Sequence, residues 1–255
     1  MSSTLGVPRP DQADYMLRAA SAGREYKQQL LDLLGVRPGQ TVLDVGCGPG
    51  TDLPALAEQV GGSGVVIGVD RDPAMLARAR ERVNGLLRVE LREGDVHALP
   101  IESGTVDRAK IDRVLMHVAE PAEVLAELHR VTRQGARIGL AEPDWDTLSV
   151  DAEDLETSRA FTRYTSAEVV RHATIGRSLG RLAEQAGFGV ESVLATTPVF
   201  RNFRDADHTL GLGRNMQRAI EEGRIDRDRG SRWFADLSQG PFYASFTLVS
   251  VICSR

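Results

Sequence analysis

The alternation of apolar and polar positions divides the chain into strand-like and helix-like runs. Short, β-branched, apolar runs at Thr41–Val45, Gly64–Val69, Leu87–Arg92, Val106–Ile111 and Arg137–Ala141 predict strands. Between them, Asp52–Gln59, Pro73–Val83 and Pro121–Val131 place apolar residues at helical spacing. Regular alternation of strand and helix predicts a parallel, doubly wound α/β sheet. Ahead of it, Asp11–Leu34 reads as helical, with Leu17, Leu30, Leu31 and Leu34 on its apolar side and Gly35 as its stop. Beyond it, Asp151–His172 is polar and helical in pattern, and Ile175–Ala186 is an amphipathic helix closed by Gly187. Val190–Val199 and Tyr243–Cys253 alternate like strands, and the charge-rich stretch 201–240 between them predicts a pair of helices inserted as a cover. No internal repeat interrupts this order, and Pro8 and Pro10 mark a loose tail.

Composition narrows the class. At 255 residues and 42% hydrophobic, the chain is long enough for one large α/β domain over 1–255. It has no run of 18 apolar residues and no basic segment leading into an apolar one at its start, so neither a membrane span nor secretion is expected. Two cysteines, Cys47 and Cys253, make no disulfide framework and no zinc spacing, which fits a reducing cytoplasm. A net charge of −5 argues against a nucleic-acid partner. The mixed run Arg224–Arg232 reads as a solvated face.

The candidate chemistry begins at "TVLDVGCGPGTD", Thr41 to Asp52, where a strand ends in Asp44 and breaks into Gly46, Gly48 and Gly50. A strand, a glycine-rich turn and a helix aim backbone N–H groups at a ligand. A phosphate loop would need GxxxxGK[ST], and no lysine lies in this segment. The glycine spacing alone leaves dinucleotides and other adenosyl cofactors open. Three carboxylates decide between them. Asp70 stands 20 residues after Gly50, at the end of the next strand, where it can accept two hydrogen bonds from a ribose diol. Asp95 follows the third strand, in reach of an adenine amino group, and Asp44 is placed to hold an α-amino group directly or through water. An edge rich in carboxylates and lacking basic residues is wrong for a pyrophosphate. It suits S-adenosylmethionine, which carries an amino acid, a ribose and an adenine on a cationic sulfur.

The motifs "VLDVGCGPG", "GVDRDPAMLARAR", "GDVHALP" and "HRVTRQGARIGLAEPDW" resemble, in sequence, those of class I S-adenosylmethionine-dependent methyltransferases. The similarity spans roughly Leu34 to Trp145, and is greatest to the family of ubiquinone/menaquinone-biosynthesis and bacterial natural-product enzymes. The resemblance implies a single Rossmann-like doubly wound sheet, mostly parallel with an antiparallel last strand, plus a helical cover. It implies cofactor contacts from Asp44, Gly46, Cys47, Gly48, Gly50, Asp70, Arg71, Asp95, Val96 and Asp112. Tyr15 and Arg24 would join them from an N-terminal cover over 11–34, with a lid over 201–240. Cys47 is a small packing residue, not a nucleophile. His97 is a polar neighbour of the adenine or simply exposed.

The acceptor is approached by exclusion. The chain has "IDRVLMHV" where amino methyltransferases of adenine or glutamine carry [DN]PP[YFW], no Pro-Cys nucleophile and no metal-ligand set. A small-molecule acceptor remains, methylated on oxygen in the first instance, or on carbon or nitrogen, in bacterial secondary metabolism; the alternatives are an S-adenosylmethionine-binding regulator, scaffold or cyclase without methyl transfer, and then an NAD-dependent oxidoreductase. A homodimer is left open. A catalytic pair is expected from His117, after the fourth strand, and Asp144, after the fifth, which would orient the imidazole or bind an acceptor hydroxyl. The family's histidine pair is not matched here, because Met116 precedes His117. Trp145 either lines the acceptor pocket or packs.

Overall fold

The structure, a computed structural model, describes residues 24–255. Tyr15 and the 11–23 part of the expected cover lie outside the described residues. A first helix, α1 (Arg24–Leu34), precedes β1 (Thr41–Val45), α2 (Leu53–Val60), β2 (Val65–Asp70), α3 (Pro73–Arg82), β3 (Val89–Glu93), β4 (Val106–Asp112), α4 (Pro121–Val131) and β5 (Thr132–Val150). There follow α5 (Leu155–Tyr164), a π-helical turn (Thr165–Val169), α6 (Ile175–Gln185), β6 (Gly189–Thr196), β7 (Val199–Phe200), α7 (Phe203–Leu210), α8 (Leu212–Glu221), α9 (Arg227–Gln239) and β8 (Ala244–Ser254).

The eight strands form one sheet in the order β3-β2-β1-β4-β5-β8-β6, with β7 also on β8. The first five are parallel, and β8 runs antiparallel to β5, β6 and β7. The strand order reverses between β1 and β4, and ligand crevices form outside the carboxyl ends of strands at such a point. Alternation along β1 and β2 sorts the two faces. Val42 and Val66 pack with Leu53, Leu56, Leu76 and Ala79 of α2 and α3, while Leu43, Val45, Ile67 and Val69 join the larger core beneath α4 and α6. α1 sends Leu31 into the first core and Leu30 into the second.

Three departures from the sequence expectation bear on the site. β5 runs to Val150 instead of ending at Ala141, so Asp144 and Trp145 lie within a strand. β8 pairs with β5 through Pro143 and Asp144 and, beyond a register shift, again at Ser149 and Val150. The stretch 201–240 holds three helices, not two. Two of them, α8 and α9, dock on α5: the Trp233 ring lies 5.0 Å from Phe161 and its indole donates to Ser158 Oγ at 2.9 Å, while Arg229 pairs with Asp154 at 2.7 Å. Among the described residues no helix is long and apolar enough to cross a membrane.

Candidate functional site

The glycine turn after β1 is shaped by the backbone and by its neighbours at once. Gly46, Gly48 and Gly50 all have positive φ, at 69°, 52° and 73°. A Cβ on Gly46 would also stand 2.4 Å from Val114 Cγ2, so the loop after β4 closes directly on this turn. Asp70, at the end of β2, accepts from Gly48 N at 2.8 Å through one oxygen and from Asp72 N at 2.9 Å through the other. Each oxygen retains acceptor capacity toward a ligand hydroxyl. Asp72 then caps α3 by accepting from Ala74 N, with Pro73 as the first helical residue.

Beneath the turn lies a group that the sequence reading missed. Asp44 and Lys110 are register partners on the parallel strands β1 and β4, so they share a face. Lys110 Nζ sits 3.1 Å from Asp44 and 2.7 Å from Asp52, and it is buried. Lys27, on α1, lies 2.7 Å from Asp52 and also pairs with Asp112. Tyr26 donates to Asp112 at 3.0 Å, and Arg113 Nε stands 3.4 Å from the same carboxylate. The expectation of an edge without basic residues is therefore corrected: two lysines occupy it. Both are engaged by three aspartates.

Burial and charge set the protonation of this cluster. Burial pushes Asp44 up to about 6, against the pull of Lys110 and with a further push from Asp52. Burial also opposes ionisation of Asp52 and Asp112. Lys110 and Lys27 hold Asp52 well below the usual carboxylate range, and Lys27 and Arg113 bring Asp112 down to about 2. Lys110 is desolvated, yet Asp44, Asp52 and Asp112 raise it above an ordinary ammonium, so it stays charged. Asp112, expected to contact cofactor, is engaged by α1 through Tyr26 and Lys27. Burial, and then the Asp44 charge, drives the Cys47 thiol upward, which leaves it a neutral packing group.

The remaining expected residues divide. Asp95 is exposed after β3 and accepts from His97 N at 2.9 Å and His97 Nδ1 at 2.7 Å; the backbone N–H bond, then the imidazole bond, lowers its pKa. Val96 is half-buried against the larger core. Arg71 is exposed directly after Asp70, and its charge reaches both Asp95 and His117. Arg24 opens α1. His117 is exposed on the turn after β4, whose N–H closes on Val114 O at 3.0 Å. Partial desolvation on its protein side, with the Arg71 and Arg113 charges, holds its pKa below the ordinary imidazole value.

On the acceptor side the orienting role expected of Asp144 is corrected, and of the two readings of Trp145 packing is the one seen. Asp144 does not orient His117: it is buried and gripped by Arg177 through both oxygens, one at 2.8 Å, because it lies inside β5 against the first turn of α6. Trp145 packs. It stacks on Phe246 at 4.9 Å, donates to Met116 Sδ at 3.4 Å and is 8% exposed.

The carboxyl edge at the strand reversal thus presents a backbone turn, a ribose-type acceptor in Asp70 and an exposed acceptor in Asp95, around a buried and internally balanced charge cluster. That donor and acceptor set fits S-adenosylmethionine. Comparison with known proteins agrees. The family profile described as "Methyltransferase domain" matches residues 37–187. An "Uncharacterized 37.1 kDa protein in transposon TN4556" of Streptomyces fradiae is 49% identical over 95% of this chain and 71% of its own length. A demethylmenaquinone methyltransferase of Lactobacillus johnsonii is 32% identical over 58% of this chain, and the match spans 66% of its length. A solved SAM-dependent methyltransferase from Aquifex aeolicus is 26% identical, covers 73% of this chain and 93% of its own, and superposes with a TM-score of 0.57. With more than half of its residues matched, the chain belongs to the methyltransferase-domain family, as a class I S-adenosylmethionine-dependent methyltransferase.

Proposed function

We propose that the chain moves the methyl group of S-adenosylmethionine to a hydroxyl of a small-molecule acceptor, in bacterial secondary metabolism in the cytoplasm. The observation that carries the oxygen assignment is His117, an exposed imidazole with a depressed pKa on the turn that closes over the glycine loop. At neutral pH that ring is uncharged and able to take the proton of a phenol, enol or alcohol as the oxygen attacks. The cofactor supplies a methyl group activated by a sulfonium. Asp70 and Asp95 would hold its ribose and adenine, and the backbone of Gly46–Gly50 its amino-acid end.

The acceptor would lie between the turn after β4 and the helical cover, with α1 and α7–α9 excluding water from the reacting atoms. Lys27 and Tyr26 support a closing role for α1, because they tie its first turns to Asp52 and Asp112 at the same edge. The cover expected over 201–240 acts in this reading through α5, on which α8 and α9 dock.

Incubation with S-adenosylmethionine and a panel of phenols, enols, alcohols, amines and activated carbon acids tests the proposal. Mass spectrometry should find S-adenosylhomocysteine and a product one methyl heavier in the hydroxyl classes. Methylation confined to amines or carbon acids overturns the oxygen assignment, and no S-adenosylhomocysteine with any acceptor overturns the transfer itself.

A further inference from the structure

Glu142 is a wholly buried carboxyl in the middle of β5. Its Oε1 accepts from Val114 N at 2.7 Å and from Leu115 N at 2.5 Å, and its Oε2 faces Met116 N at 3.4 Å. Three successive backbone N–H groups of the turn after β4 therefore converge on one side chain. That turn is unusual in itself. Arg113 enters it with φ of 57°, a conformation that a non-glycine residue adopts only where its surroundings dictate it. Arg113 N still donates to Ala141 O at 2.9 Å, so the ladder between β4 and β5 ends one residue before Glu142 takes over.

Glu142 is itself held fast. A Cβ on Gly176 would stand 2.7 Å from Glu142 O, so α6 presses on the strand at this residue. The turn has two further tethers, from Trp145 Nε1 to Met116 Sδ at 3.4 Å and between His172 Nε2 and Val118 O at 3.0 Å. One face of the turn presents Val114 to Gly46, and its end presents His117 to solvent.

We propose that Glu142 is the positioning residue of the acceptor side: through three backbone N–H groups it sets the turn that places His117 against the cofactor loop. The proposal rests on the reading of His117 as the base. Burial, against the pull of those N–H bonds, pushes the Glu142 carboxyl up to about 8, and Asp112 at the end of β4 adds to the rise. A carboxyl that keeps its proton at neutral pH can use one oxygen for both short bonds and leave the protonated oxygen on the long one. Glutamine keeps both short bonds through its amide oxygen and gives up only the long contact to Met116 N, which an NH₂ cannot accept.

The experiment is an NMR titration of the histidine rings in the whole chain with no acceptor present, His117 being assigned with H117Q. In E142Q the His117 pKa stays depressed, as in the unmodified chain. In E142L the three N–H groups lose their acceptor, the turn leaves the partial burial that, with the Arg71 and Arg113 charges, lowers the ring, and the His117 pKa rises toward the ordinary imidazole value. E142D, which withdraws the carboxyl by one methylene, gives the same rise should E142L not fold. An unchanged His117 titration in E142L or E142D, or E142Q behaving like E142L, overturns the proposal. The readout needs no methyl transfer, so failure of the acceptor screen leaves it standing on its own.

Discussion

Lys110 Nζ sits 2.7 Å from Asp52 Oδ2, with both side chains buried beneath the glycine turn. The pair joins β4 to the residue before α2, and Lys27 joins the same carboxylate to α1. Desolvating charges is costly, so such a cluster holds only while its partners balance. Lys110→Met removes the central cation and leaves Asp44 and Asp52 facing each other with Lys27 alone. The expected loss is about 3–5 kcal/mol in urea unfolding. Adding Asp44→Asn should recover part of it. A loss below about 1 kcal/mol would show that the cluster is solvated and does not act as a buried unit.

This cluster also marks where sequence reading ends. The first four strands, the glycine turn and Asp70 are legible because each is a local pattern: β-branched runs, a glycine spacing, a carboxylate at a strand end. Lys27, Asp52 and Lys110 meet across separations of 25 residues and more, and each alone reads as an ordinary surface charge. Only the β1–β4 register places Lys110 beside Asp44. β5 was under-read for a similar reason. Pro143 and Asp144 break the local pattern, and pairing with β8, a hundred residues later, carries the strand through them. Asp144 was then assigned to a site when it belongs to the clamp with Arg177. Glu142 is legible as an acidic residue directly after the apolar run Ile138–Ala141, although nothing local says which groups it serves.

Asp70→Ala should weaken binding of S-adenosylhomocysteine. The substitution removes the carboxylate that would accept the ribose hydroxyls, and also the acceptor that holds Gly48 N and Asp72 N. Charge-assisted bonds are worth roughly 1.5–3 kcal/mol each, so a loss of tenfold or more is expected by calorimetry. Asp70→Asn, which keeps one acceptor oxygen, should fall between. NAD should give no heat with any of the three proteins. Unchanged affinity in Asp70→Ala would remove this residue from the cofactor site.

His117→Ala should lower kcat by roughly 10²–10⁴ while affinity for S-adenosylhomocysteine barely moves, since the ring serves the acceptor. The depressed imidazole pKa also fixes the pH profile. Turnover should be flat at neutral pH and fall only below about 6.5, as the ring gains its proton. The variant should lose that acid limb. Near-normal turnover would leave positioning of the acceptor as the source of rate.

The Glu142 contribution to stability should fall as pH rises from about 4.5 to about 8, while His117 and His129, held below the ordinary imidazole value, act in the opposite sense. The folded-state pKa of Glu142 is raised to about 8, above the ordinary glutamate value, so the folded chain binds its proton more tightly than the unfolded chain. Its contribution is complete at low pH and is lost through that window. Asp44, raised to about 6, acts in the same sense over the lower part of it. Asp112, lowered to about 2, acts in the opposite sense and only at more acid pH, as pH falls below about 4. E142Q cannot titrate, so it should match the unmodified chain near pH 4.5 and exceed it by a few kcal/mol near pH 8, on the order set by the raised pKa. Parallel stability curves for the two proteins would contradict this.

The contact between Gly46 and Val114 should appear as a coupling energy. Two separate costs meet in Gly46→Ala. The backbone φ of 69° costs a non-glycine residue about 1–2 kcal/mol, wherever Val114 lies. The new Cβ also stands 2.4 Å from Val114 Cγ2 and 3.2 Å from Cγ1, an overlap that costs typically 1–3 kcal/mol to relieve. Val114→Ala deletes both of those atoms and with them the second cost only. In the double variant the Gly46→Ala penalty should therefore shrink to roughly the backbone part, giving a coupling of about 1–3 kcal/mol by urea unfolding. The same cycle read on S-adenosylhomocysteine affinity reports function. In Gly46→Ala alone the clash must push apart the glycine turn and the turn after β4, so affinity should fall, and Val114→Ala should restore part of it. Strictly additive stabilities would mean that the two turns do not touch in solution, and the link between cofactor loop and acceptor turn would then be lost.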